Sequence, residues 1–178
     1  MKATVSPASI NGTLVAPASK SAMQRACAAA LLSKAKVVLH NPGTSNDDVA
    51  ALNIIQQLGV QVQKEGETFV VESSGVQPVG NMLDCGESGL SIRMFTSIAA
   101  LSNQPITVTG HGSLATRPMD FFNEVLPLLG VECSSENGKL PLQIKGPLQP
   151  KNITVDGSLS SQFLTGLLLA YSAAGAQD

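Results

Sequence analysis

A chain of 178 residues that is 43% hydrophobic, only 13% charged and formally −2 at pH 7 holds enough apolar side chain for one sizeable core, and is too apolar for a disordered segment. The slight negative charge gives no electrostatic reason to expect nucleic-acid binding, and one Tyr, five Phe and no Trp leave little to stack bases. Cys27, Cys85 and Cys133 are odd in number and lack CxxC spacing, which argues against a disulfide framework and a zinc site. Residues 1–7 have no apolar signal region and no apolar run reaches membrane-spanning length, so a cytoplasmic protein in a reducing compartment, with no membrane partner, is expected.

In chain order, residues 12–15 read as a short strand, 21–32 as a helix, 35–40 as a strand and 46–58 as a second helix. Asn46 is the expected N-cap of that second helix, with Asp47 and Asp48 in its first turn. Its apolar stripe is Val49, Leu52, Ile55 and Leu58, with Asp48, Asn53, Gln56 and Gln57 outside, and Gly59 ends it. Residues 60–64 and 68–72 alternate about Glu65-Gly66-Glu67, the pattern of a hairpin. The same order then returns: strand 81–84, helix 90–101, strand 106–109, helix 118–129 and a hairpin about Glu136-Asn137-Gly138. Pro118 suits a first helical position, whereas Pro127 should kink or shorten the helix near its end. A third pass supplies a strand at 153–155 and a helix over the apolar run that begins at Phe163.

Landmarks repeat at similar offsets. Leu58-Gly59-Val60 recurs as Leu129-Gly130-Val131 (129 − 58 = 71), Ser88 as Ser160 (160 − 88 = 72) and Arg25 as Arg93 (93 − 25 = 68). A repeated βαβαββ unit follows, at about 12–75 and 80–148, with an incomplete third copy at 152–178. The first helix of each unit is apolar nearly all round and is expected at the centre, with sheets and amphipathic helices outside, in one α/β (α+β) domain. A half-unit leaves apolar surface without a neighbour, so the chain reads as the N-terminal piece of a longer protein.

Each unit begins with a strand, a turn and a helix start: Ser19-Lys20-Ser21, then Gly86-Glu87-Ser88-Gly89, then Ser160-Ser161-Gln162. Helix starts offer free N–H groups and positive potential to anions, so three of them suggest a ligand with more than one phosphate or carboxylate. Arg25 and Arg93 each enter an otherwise apolar helix near its start, where a cation opposes the helix dipole unless an anion is present. A single Arg of this kind is explained by a carboxylate such as Asp47, Asp48, Asp84 or Glu87; two at equivalent positions favour a shared ligand site. Arg117, in Thr116-Arg117-Pro118, stands before the second helix of unit two. His111 reads as a loop histidine and His40 as structural.

Pro17-Ala18-Ser19-Lys20-Ser21 with Arg25, Gly86-Glu87-Ser88-Gly89 with Arg93, Thr116-Arg117-Pro118, and residues 156–163 together resemble the 5-enolpyruvylshikimate-3-phosphate (EPSP) synthases, in the family's order and over essentially the whole chain. The resemblance implies one domain of the enolpyruvyl transferase fold, an inside-out α/β barrel. It implies that the 5-hydroxyl of shikimate 3-phosphate attacks C2 of phosphoenolpyruvate and that phosphate then leaves, with no metal or organic cofactor. By the same resemblance Lys20 would contact both substrates and assist proton transfer. Ser21, Arg25, Ser160 and Ser161 would bind shikimate 3-phosphate, Gln162 would lie between the substrates, and Gly89 and Arg117 would bind phosphoenolpyruvate. Arg93 would have a supporting electrostatic role. Glu87, Leu90 and Met94 stand where the family often has Asn, Thr and Pro. The acidic base and further ligands would come from a C-terminal domain of the same enzyme, which residues 1–11 would pair with, so turnover by these 178 residues alone is not expected. The alternatives are the related transferase acting on UDP-N-acetylglucosamine, which usually has Lys-Asn in place of Lys20-Ser21, and a non-catalytic anion-binding scaffold.

Overall fold

A computed structural model describes residues 2–176. Five helices, α1 (Lys20–Leu32), α2 (Asn46–Gln57), α3 (Gly89–Ala99), α4 (Asp120–Val125) and α5 (Ser161–Ala173), accompany seven strands. The strands are β1 (Lys36–Leu39), β2 (Gln61–Glu65), β3 (Thr68–Glu72), β4 (Met82–Asp84), β5 (Ile106–Thr109), β6 (Glu132–Glu136) and β7 (Lys139–Lys145). The first three form an antiparallel sheet in the order β1-β3-β2, and the rest a sheet in the order β4-β5-β7-β6. Only β4 and β5 run parallel, joined through α3. The hairpin between β6 and β7 turns on Asn137 and Gly138, both at positive φ (52° and 69°), the requirement of the tight turn that matches strand twist.

Helix α3 is the centre of the molecule: nine of its 11 residues are buried, among them Ile92, Met94, Phe95 and Ile98. It packs on α5 through a close backbone approach, where a Cβ on Gly166 would sit 2.7 Å from Met94 O and 2.9 Å from Arg93 O. The aromatic rings of Phe121, Phe122 and Phe163 stack beside this contact, with centroids 4.3 to 5.7 Å apart.

Unit two has the full βαβαββ order, and the physical exceptions lie in its neighbours. Residues 12–15 form no strand, and Leu14 and Val15 lie in solvent. A strand exists through the ladder that satisfies its backbone groups, and none of the described strands pairs with this segment. Residues 153–155 are likewise unpaired, although Ile153 and Val155 rest on the core. The central position also belongs to α3 alone. Ala22, Arg25 and Ala29 of α1 and Leu164 and Leu168 of α5 are exposed, because these two helices flank α3 and each keeps a free face.

The cap of α2 is Ser45 and not Asn46. The Ser45 hydroxyl accepts from Asp48 N while the Asp48 carboxylate accepts from Ser45 N at 2.9 Å, a reciprocal capping box. Asp48 is therefore buried rather than outside the stripe, and Val49 turns to solvent. In unit two, α4 starts at Asp120, two residues beyond Pro118, with Met119 at the cap. The helix passes at Leu126 into a 3-10 turn with Pro127 in its first positions, the local shortening that a ring without an N–H imposes. A second 3-10 turn, Gly112–Thr116, was not expected from the sequence.

Candidate active site

All three anticipated helix starts are capped by serine. Ser19, Ser88 and Ser160 accept from the backbone N–H of Ala22, Ser91 and Gln162 at 3.3, 3.2 and 3.2 Å. The residue after each cap, Lys20, Gly89 or Ser161, thus opens its helix with free N–H groups.

The densest grouping is built on Gly89. A side chain there would collide with the Arg117 guanidinium and come within 3.4 Å of Arg93 Nη1. Arg93 Nη1 in turn donates to Gln162 Oε1 at 2.9 Å, and the Arg93 guanidinium carbon lies 5.3 Å from the centre of the Phe163 ring. Arg117 Nη2 lies 3.4 Å from Ser113 Oγ. Four of the expected site residues, drawn from α3, α5 and the loop before α4, therefore meet at one place. Partial burial and the neighbouring Arg117 charge both lower the Arg93 pKa from its ordinary value. Two guanidiniums over a helix N-terminus concentrate positive potential, and forked donors suit a phosphate or carboxylate.

Lys20 meets a different partner. Its Nζ lies 2.8 Å from Asp47 Oδ2 in the first turn of α2, and this hydrogen-bonded ion pair raises the Lys20 pKa. Asp47 thus serves Lys20 rather than an arginine. Arg25 is exposed and its Nη1 donates to Ser21 O at 3.2 Å, one turn back on its own helix. Ser21 and Ser161 are exposed, and Ser160 is half-buried at its cap. Among the described residues, no hydrogen bond links Lys20, Ser21 or Arg25 to the group on Gly89.

Caps and arginines do not keep the same spacing. Arg25 follows Ser19 by six residues and Arg93 follows Ser88 by five. One helical residue is about 100° of rotation, which turns Arg25 outward and Arg93 inward toward α5. The two are not strictly equivalent, as their shared offset had suggested.

Two features were missed from the sequence. Gln24 of α1 is fully buried, and its Oε1 accepts from Ser88 Oγ at 2.9 Å and Ser91 Oγ at 3.0 Å, tying α1 to the start of α3. A lone amide between Met23 and Cys27 was the available signal, since a polar group in a buried helix needs a partner. The second is Glu87, whose Oε1 lies 3.5 Å from His111 Nδ1. His111 is therefore more than a loop histidine: with its backbone N–H donating to Gly86 O at 2.8 Å, it joins the β4–α3 loop to the loop after β5. Gly112 leaves the room that the Glu87 carboxylate occupies. Among the described residues no group of three or more His, Cys, Asp and Glu is placed to hold a metal, and no helix is long and apolar enough to cross a membrane.

The model of the EPSP synthase (3-phosphoshikimate 1-carboxyvinyltransferase) family matches residues 5–177. The chain is 36% identical over 174 residues to a 3-phosphoshikimate 1-carboxyvinyltransferase of Methanosarcina mazei and 30% identical over 169 residues to one of Clostridium perfringens. These alignments cover 96% and 94% of the chain and 40% of each relative, so the chain spans about two fifths of the length of the curated relatives it matches. An EPSP synthase structure from Acinetobacter baumannii superposes with a TM-score of 0.77 at 26% identity, over 89% of this chain and 38% of that one. An enolpyruvyl transferase from Streptomyces tendae shares the fold at a TM-score of 0.55 and 17% identity, over 87% of this chain and 36% of that one. Family match, curated relatives and fold agree: the chain belongs to the EPSP synthase family.

Proposed function

We propose that this chain carries the shikimate 3-phosphate-binding part of an enzyme that moves the enolpyruvyl group of phosphoenolpyruvate to the 5-hydroxyl of shikimate 3-phosphate. The observation that carries the reading is the meeting of Gly89, Arg93, Arg117 and Gln162 at the starts of α3 and α5, a site whose charge suits a bound anion. In this reading Ser21, Arg25, Ser160 and Ser161 bind shikimate 3-phosphate, with the two α5 serines on its phosphate. Gly89 and Arg117 hold phosphoenolpyruvate, and Gln162 lies between the two substrates. Lys20 touches both and assists proton transfer, and its ion pair with Asp47 keeps the ammonium charged. Arg93 supports the site electrostatically, and neither a metal nor an organic cofactor takes part.

The domain runs from residue 12 to residue 178 in units of about 12–75, 80–148 and 152–178, with residues 1–11 reserved for pairing with a C-terminal domain. Met1, Gln177 and Asp178 lie outside the described residues. That second domain supplies the acidic base and the remaining phosphoenolpyruvate ligands, and the enzyme works in the cytoplasm.

Calorimetric titration with shikimate 3-phosphate, of this chain and of its Arg25→Ala variant, tests the reading. Arg25 is suited to the comparison because it is exposed and, among the described residues, its side chain bonds back to Ser21 of its own helix. Weak binding by the parent and at least about tenfold weaker binding by the variant are expected, the usual loss for a charged hydrogen bond. Equal binding by both would overturn the assignment of Arg25, and no binding by the folded parent would overturn an independent substrate site.

A further inference from the structure

We infer that Arg93 is the positioning residue for Gln162: its guanidinium occupies the amide oxygen of Gln162 and thereby presents the amide NH2 to the ligand as a donor. The inference rests on the functional reading above only for what the ligand is.

An amide offers an oxygen that accepts and a nitrogen that donates, and rotation by half a turn exchanges them. Gln162 Oε1 accepts from Arg93 Nη1 at 2.9 Å. A guanidinium has no acceptor, so the reversed amide would aim NH2 at N–H donors. The orientation is therefore chosen by Arg93, and the two Nε2 hydrogens are left free of it. A hydrogen bond to a cation also polarises the amide and strengthens its N–H donors.

The surroundings hold both partners in place. The Gln162 backbone N–H is bound by Ser160 Oγ at 3.2 Å, which fixes the first turn of α5. One turn further on, Gly166 lies against the Arg93 and Met94 backbone. Residues 162 and 166 share a face of α5, so this contact brings Gln162 within reach of Arg93. Phe163 lies against the Arg93 guanidinium, and Arg93 Nε is buried without a hydrogen-bond partner. The guanidinium is thus packed on one side by the Phe163 ring, with Nη1 held between Gln162 and the Gly89 backbone. Arg93 acts through Gln162, whereas the Arg117 guanidinium lies nearer to Gly89, where a ligand would sit.

The test reads the Gln162 side-chain amide directly by NMR on the whole chain, with its resonances assigned by their loss in Gln162→Met. In the parent, the amide should be displaced from the position shared by exposed glutamines such as Gln61, and in Arg93→Met it should move to that position. Arg93→Lys retains charge and stem without the fork and should restore part of the displacement; it also serves if the Met variant fails to fold. A Gln162 amide that stays in place in a folded Arg93 variant overturns the inference. The second arm titrates shikimate 3-phosphate. Arg93→Met should weaken binding about tenfold, and adding Gln162→Met should weaken it little further, because one hydrogen bond underlies both losses. Full additivity of the two losses would overturn the coupling. A displaced parent amide in a chain that does not bind shikimate 3-phosphate supports the positioning role and overturns the substrate reading for this chain.

Discussion

Gln24 and Ser88 stand 64 residues apart in sequence and share a hydrogen bond of 2.9 Å in which the serine hydroxyl donates to the amide oxygen. The same Ser88 oxygen caps α3 by accepting from Ser91 N. Through one serine, the packing of α1 and the start of α3 become a single feature, and Gly89 is the next residue along.

Gln24→Met retains length and removes the acceptor, leaving the buried Ser88 and Ser91 hydroxyls without their shared partner. A loss of about 1–3 kcal/mol is expected. Urea denaturation followed by far-UV circular dichroism measures it, and a variant as stable as the parent would mean that the hydroxyls find other acceptors.

Gly166→Ala and Gly89→Ala should separate stability from binding. At 166 the added methyl meets backbone at 2.7–2.9 Å, which cannot yield without moving α5 from α3, so a cost of about 1–3 kcal/mol is expected despite the better helix propensity of Ala. At 89 the obstacle is the far end of the Arg117 side chain, which can swing away. That variant should melt within a few degrees of the parent while binding anions such as phosphoenolpyruvate more weakly. Paired thermal melts and titrations decide the matter, and the reverse pattern would contradict these contacts.

Alkaline pH should unfold the chain through its thiols. Burial pushes the Cys27 thiol up to about 12 from 9.0, raises Cys85 still further, and raises Cys133 to about 11. A thiol that holds its proton more tightly when folded contributes stability that is full below pH 9 and is lost as pH rises from there toward the folded value. Stability should therefore fall between about pH 9 and pH 12, with a shallower fall in Cys27→Ala. Lys20 adds a later loss: its pKa is raised from 10.5, so the stability from its pair is present below that value and disappears above it. Denaturation midpoints at a series of pH values test both, with Asp47→Asn isolating the lysine.

At neutral pH the Lys20–Asp47 pair, whose lysine is exposed, should matter little to folding. Asp47→Asn is expected to change stability by less than about 1 kcal/mol, as for other exposed ion pairs. Phosphate binding is the more sensitive readout, because the variant frees Lys20 from a competing carboxylate. Titration of inorganic phosphate at low and moderate salt should show tighter binding by the variant, most clearly at low salt.

Local chemistry was legible in the sequence where it decides structure by itself. The β6–β7 turn at Asn137 and Gly138, the break at Pro127 and the serine at each unit's helix start needed no tertiary information. The order of unit two and the family resemblance could be read for the same reason. What depended on a neighbour could not. Residues 12–15 have strand composition but no strand beside them, and Asp48 looks like a surface residue until Ser45 is seen to share its carboxylate. Within the site, Gly89, Arg93, Arg117 and Gln162 were named as separate motifs, whereas the bond between Arg93 and Gln162 spans 69 residues and carries no sequence signal. Glu87 and His111 were each considered alone, and a carboxylate and an imidazole on adjoining loops were the overlooked clue.

Counting from the cap, the two helix-start arginines differ by a single position, yet one faces water and the other holds a half-buried amide across to α5. Phase relative to the cap, rather than residue type, sets these two arginines apart. Deleting one residue between Ser19 and Arg25 would rotate the arginine by about 100° relative to its cap, to the spacing that Arg93 has from Ser88. The same side chain at a helix start can therefore be turned to a different partner by one position of register, with no new kind of residue.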